Sequence, residues 1–269
     1  MNPQRFNLRA TLAKFAAIIG LAVALPMSAT AAPEDTKPTI VLVHGAMADS
    51  SSWSGVIPIL QADGYRVISA ANPLRGLKSD AAYVTTVVKS VHVPVVLVGH
   101  SYGGTVISNS ATQTDNVKSL VYVAALAPEA GESTLDLVGK FPGSVLGPAL
   151  APPVDLPDGA HDLYVDQARF REPFAADLPE SQTRILAATL RPVSDAALKE
   201  ASGTPAWKTI PSWFVYGTAD KSIPAAAHAF MAERAKARDT LAVPGASHLV
   251  MLSHPADVAR VIEEAAAAK

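Results

Sequence analysis

The sequence predicts an α/β fold: a mostly parallel sheet flanked by helices, with a helical cap between the fourth and fifth recognisable strands. Three observations carry this reading. Short aliphatic runs alternate with stretches of helical periodicity, which is the pattern of βα units. Several of those runs are continuously apolar instead of alternating, as strands buried on both faces are. One proline-rich stretch, 128–209, interrupts the alternation.

The elements follow in chain order. Arg5, Arg9 and Lys14 accompany the apolar run FAAIIGLAVALPM and the small-residue run SATAA. Positive start, apolar middle and A-x-A-like end describe a secretory signal peptide over 1–32, cleaved after Ala31 or Ala32, with an uncleaved anchor as the alternative. Six strands are then expected, in TIVLVHG (from Thr39), YRVISA (from Tyr65), VPVVLVGHS (from Val93), VKSLVYVAAL (from Val117), PSWFVYGTAD (from Pro211) and TLAVPGASH (from Thr240). Helical periodicity covers Ser52 to Gln61, Asp80 to Ser90, Gly104 to Thr114, Ala225 to Ala237 and Pro255 to Ala268. Right-handed crossovers place every strand C-terminus on one edge of such a sheet, the edge at which open α/β sheets bind ligands. The core is therefore expected over 33–127 and 210–269, with 128–209 as the inserted cap. No strong strand shows in that insertion, but helical pieces do, at Ala168 to Phe174, Pro179 to Ala188 and Asp195 to Glu200. Phe141, Leu163, Tyr164, Phe170 and Phe174 give the cap apolar groups to pack, which a disordered linker lacks.

Composition narrows the function classes. The 269 residues include no cysteine, which excludes disulfides, a thiolate nucleophile and thiolate metal ligation. A net charge of -2 gives no basic footprint for nucleic acid. After signal cleavage no stable membrane association is expected, and the oligomeric state is not legible.

The chemistry concentrates at strand ends. Gly99-His100-Ser101-Tyr102-Gly103 reads G-x-S-x-G between a strand and a helix. A serine on so sharp a turn takes strained backbone angles, so Gly99 and Gly103 clear space and Gly104 seats the following helix. That helix aims its N-terminal dipole at the serine. A serine hydroxyl needs a base. Of seven histidines, His248 ends the sixth strand on the same edge as Ser101. His44 and His100 are expected to bond within their own turns, His228 falls in a helix and His254 sits where a helix cap belongs. The base needs an orienting acid. Asp220 stands just past the fifth strand, whereas Asp115, Asp136 and Asp239 have no comparable place. Backbone N–H groups of Ala46 and Tyr102 complete the set as an oxyanion hole. A phosphate loop at His44-Gly45 is disfavoured by the lack of a P-loop lysine.

On the motifs VLVHGAMADSSSW, VLVGHSYGG and GTADKSIP…VPGASHLVMLSHP, the chain resembles the α/β-hydrolase superfamily across its expected mature length. It is similar to the group that holds plant methyl-ester esterases and hydroxynitrile lyases. The resemblance implies Ser101 as nucleophile, Asp220 as acid, His248 as base, Ala46 and Tyr102 as oxyanion amides, a small-molecule ester as substrate and no cofactor or metal. A lactone or C–C bond hydrolase or lyase on the same triad is the alternative, and a ligand-binding protein on this scaffold a further one. The lyases carry a lysine directly after the histidine and a threonine beside the first strand's end; here Leu249 and Gly45 stand there.

Overall fold

The computed structural model describes residues 37–269 apart from Asp158; the expected signal peptide lies outside the described residues. The strands of the main sheet are β1 (Thr39–Val43), β2 (Val67–Ala70), β3 (Val95–His100), β4 (Val117–Val123), β8 (Ser212–Gly217) and β9 (Asp239–Val243). Between β4 and β8 come three short strands, β5 (Val154–Asp155), β6 (His161–Leu163) and β7 (Val193–Ser194). Helices α1 (Ile57–Ala62), α2 (Leu77–Lys89) and α3 (Tyr102–Ser110) connect the first four strands. The insertion carries α4 (Thr134–Lys140), α5 (Leu146–Ala149), α6 (Arg171–Phe174), α7 (Glu180–Thr189) and α8 (Asp195–Lys199). Helices α9 (Ala225–Arg234), α10 (Val250–Ser253) and α11 (Pro255–Ala267) complete the chain.

The main sheet has the order β2-β1-β3-β4-β8-β9, and all of its pairings are parallel. Burial explains which strands are plain in the sequence. Every residue of β1, β3 and β8 is buried, as an internal strand covered on both faces must be. β2 and β9 form the two edges and are partly exposed, which is why YRVISA is a weaker signal. Register then aligns the edge formed by the strand C-termini. His100 pairs with Val123, Val123 with Val215, and Gly217 with Val243, so the loops after β3, β8 and β9 emerge side by side.

Local departures from the expected elements have local causes. The expected helix Ser52 to Gln61 is a 3-10 turn, Ser50–Trp53, followed by α1, with a proline in its first turn where a missing N–H costs nothing. The helix expected from Gly104 begins at Tyr102, immediately after Ser101. In the insertion, β5, β6 and β7 pair antiparallel in runs of two or three residues, too short to show alternation in sequence. α4 is not among the expected helices, although Ser133 and Asp136 form a reciprocal capping box, a visible signature. Insertion residues Phe170, Phe174 and Leu198 join one buried cluster with Val98 of β3 and Ile107 of α3.

Candidate active site

Ser101 sits between β3 and α3 with φ 52 and ψ -124, a backbone conformation that costs energy in any residue but glycine. The turn closes because its neighbours lack side chains. A Cβ on Gly99 would stand 2.6 Å from the Gly103 carbonyl oxygen, and one on Gly103 would stand 2.5 Å from that of Val43. Gly103 therefore serves the approach of α3 to β1 more than clearance around the serine. Gly104 does seat the helix: its Cβ would fall 2.4 Å from the Leu126 carbonyl oxygen. α3 points its N-terminus at Ser101, and the Tyr102 N–H, first in the helix, has no intrahelical acceptor. Ala46 and Met47, on the loop after β1, face the same cavity as Ser101 and Tyr102. That loop is held by the Asn72 amide, which donates to the His44 carbonyl at 3.1 Å, and by His44 Nδ1, 2.9 Å from the Gly45 carbonyl.

Asp220 and His248 come together on the neighbouring loops. His248 Nδ1 lies 2.7 Å from Asp220 Oδ2, with both side chains buried. The other carboxylate oxygen accepts from the backbone N–H groups of Ser222 at 2.8 Å and Ile223 at 2.9 Å. Burial alone would raise this carboxyl's pKa; the charge of His248 and hydrogen bonds from His228 and His248 outweigh it and hold it well below the usual range. Asp220 is thus an ionised acceptor, so His248 Nδ1 must donate, and in the neutral form of the imidazole Nε2 carries the lone pair. Nε2 is buried and makes no hydrogen bond, to Ser101 or to any other described group. Such a gap is common where the attack geometry tightens only with substrate bound.

Two histidines are used differently from expectation. His100 does not bond within its own turn: its Nε2 lies 3.3 Å from the His248 carbonyl, and its ring stands 4.8 Å from the His248 ring. Burial first, then the charge of His248, pushes the His100 pKa well down, so it is a neutral strut that steadies the His248 backbone. His254 provides no side-chain cap to α11; its Nδ1 bonds Ser253 Oγ at 2.9 Å.

The insertion is fastened to both loops. Ser222 Oγ donates to the Pro173 carbonyl at 2.8 Å, and the Phe174 carbonyl accepts from Ser247 Oγ at 3.1 Å and Leu249 N–H at 2.9 Å. The Asp177 carboxylate accepts from both the N–H and the hydroxyl of Ser247. The Phe174 ring meets the His248 ring edge-on at 5.5 Å. Above Ser101 this leaves a cavity of about 150 Å³ lined by Leu135, Val138, Leu146, Leu150 and Leu163, among others, with no charged side chain in its wall.

A strained serine, a buried Asp–His pair and the amides of a helix start and a neighbouring loop on one sheet edge are the parts of a nucleophilic hydrolase. The sequence matches the Alpha/beta hydrolase family over residues 40–261. The chain belongs to that family. This hydrolase is 27% identical over 255 residues to the pyrethroid hydrolase of Sphingobium wenxiniae, across 85% of this chain and 88% of that one. It is 31% identical over 113 residues to the carbendazim hydrolyzing esterase of Nocardioides sp., across 37% of this chain and 47% of that one. Its fold resembles the crystal structure of polyneuridine aldehyde esterase with a TM-score of 0.73 at 18% identity, covering 85% of this chain and 99% of that one. A pyrethroid hydrolase crystal structure superposes with a TM-score of 0.68 at 24% identity, covering 87% and 98%. The chain is an α/β hydrolase of the esterase type.

Sequence reasoning missed three residues of the hydrolase site. His228, assigned to a helix and nothing more, places its Nε2 3.1 Å from Asp220 Oδ2. Asp80 is buried beneath Tyr102 and accepts its hydroxyl at 2.9 Å. Asp177 grips the histidine loop from the insertion. Asp80 and Asp177 act on partners 22 and 70 positions away, His228 on one 8 positions away across a loop, and a lone Asp or His in a helix or loop carries no local signature.

Proposed function

We propose that the protein is an exported serine esterase that hydrolyses uncharged carboxylic esters with one small apolar group. The observation that carries this is the arrangement at the sheet edge: a buried, ionised Asp220 holds His248 by Nδ1, and His248 Nε2 is left without a partner among the described residues, on the edge where the strained turn presents Ser101. Ser101 Oγ attacks the ester carbonyl while His248 Nε2 takes its proton. The Tyr102 and Ala46 N–H groups receive the oxyanion, each such donor being worth about 10²–10³-fold in rate. His248 then gives its proton to the leaving alkoxide, the alcohol departs, and water repeats the sequence on the acyl-enzyme to release the acid.

The cavity supports the substrate class. A volume of about 150 Å³ with an aliphatic wall suits a group near the size of benzene, so a four- to six-carbon chain or a phenyl group fits. A charged group would lose its hydration there with no partner. Leu249 follows His248 where the lyases carry lysine, and its side chain is buried, which favours hydrolysis over cyanohydrin cleavage. The N-terminal charge and apolar pattern supports export, which N-terminal sequencing of protein from a periplasmic or medium fraction checks.

The test is hydrolysis of p-nitrophenyl esters of increasing chain length by the wild type and Ser101→Ala. Turnover with an optimum near butyrate to hexanoate, and loss of both turnover and fluorophosphonate labelling in the variant, are expected. Full activity of Ser101→Ala would overturn the mechanism.

A further inference from the structure

We propose that His228 is a positioning residue for this hydrolase: a second histidine that donates to the same Asp220 oxygen as His248 and moderates that carboxylate's pull on the His248 proton. The inference rests on the Ser101–His248–Asp220 reading. An ionised carboxylate accepts through about four lone-pair directions. Asp220 fills all four, with Ser222 and Ile223 N–H on Oδ1 and His248 Nδ1 and His228 Nε2 on Oδ2. Because Oδ2 has no proton, His228 Nε2 must be the donor.

The His228 ring is held fixed by its surroundings. It is fully buried and stacks on Tyr216 at 4.8 Å with an interplanar angle of 19°. Its Nδ1 is buried with no hydrogen-bond partner among the described residues, so the ring's one polar attachment there is Nε2 to Asp220. The titratable groups facing it are Asp220 and Tyr216, with His248 across the shared oxygen and His100 behind His248. On α9, Arg234 is engaged with Glu132, and Lys140 of α4 lies over the Phe230 ring of α9.

A shared acceptor divides its charge between its donors. Removing the His228 donor concentrates the Asp220 charge on the His248 Nδ1 proton, which favours the imidazolium and lets the carboxylate turn about its Oδ1 anchors. His248 then gives up its extra proton at higher pH.

The experiment compares His228→Leu, His228→Gln and His228→Asn with the wild type. Gln places an amide N–H near the imidazole Nε2 and Asn does not reach it. In Leu and Asn the acid limb of kcat/KM is expected to move up by half a pH unit or more, with kcat severalfold lower and KM little changed; Gln restores both. In the Ser101→Ala background, the low-field proton of the His248–Asp220 hydrogen bond moves further downfield in the Asn variant than in the Gln variant. That reading needs no ester hydrolysis, so it separates failure of this inference from failure of the esterase assignment. If Leu does not fold, the Gln–Asn contrast decides. An acid limb unmoved in Asn, or equal effects in Asn and Gln, overturns the proposal.

Discussion

Replacing Asp220 by asparagine sets a donor against donors, and the geometry says which ones. Oδ1 of Asp220 accepts from the Ser222 and Ile223 N–H groups at 2.8 and 2.9 Å, and neither can reverse its role. The oxygen of the introduced amide must therefore stay on that side, which turns its NH2 towards His248 Nδ1 and His228 Nε2. Those atoms lie 2.7 and 3.1 Å from Oδ2 in the wild type. At least one histidine must switch tautomer to accept. When His248 does so, its Nε2 carries the proton and cannot remove one from Ser101. Loss of the orienting acid by this route costs a serine hydrolase about 10⁴-fold in kcat, or about 5 kcal/mol of transition-state stabilisation. Steady-state kinetics on p-nitrophenyl butyrate measure the loss, with circular dichroism to show that the variant is folded. A folded Asp220→Asn enzyme that loses less than about tenfold would refute the tautomer argument.

Other outcomes follow from the same contacts. Asp220 has its pKa lowered in the folded state, so its contribution to stability is present above the ordinary value of 3.8 and drains away as pH falls below it. Urea midpoints of the wild type and Asp220→Asn should therefore converge on acidification below about pH 4; parallel curves would contradict this. Gly103→Ala puts a Cβ 2.5 Å from the Val43 carbonyl oxygen and should lose about 1–3 kcal/mol. Gly139→Ala, in the last turn of α4 with no described atom within 4 Å of its Cβ, should gain up to about 0.5–1 kcal/mol; thermal melts give both signs. Tyr102→Phe removes a donor from the buried Asp80 carboxylate and should cost about 1–3 kcal/mol by urea unfolding. Val138→Phe fills part of the cavity of about 150 Å³ and should move the chain-length optimum from butyrate or hexanoate towards acetate; an unchanged optimum places the acyl group elsewhere.

Much of this protein is legible in local sequence because much of it rests on local physics. A doubly buried strand must be continuously apolar, and β1, β3 and β8 are. A nucleophile turn must have glycines two residues either side, and Gly99 and Gly103 stand there against backbone oxygens. A parallel sheet brings the loops after β3, β8 and β9 to one edge, so Ser101, Asp220 and His248 could be grouped from chain order alone. Tertiary structure decided what local patterns cannot encode. His228 and His248 share one oxygen of Asp220, and His100 supports the His248 backbone 148 positions away. Asp177 and Phe174 tie the insertion to the histidine loop, and packing of short insertion elements sets the cavity. Backbone geometry repeats with fixed periods and leaves a trace in sequence. Hydrogen bonds between side chains on distant elements have no period, and only the fold brings their atoms together.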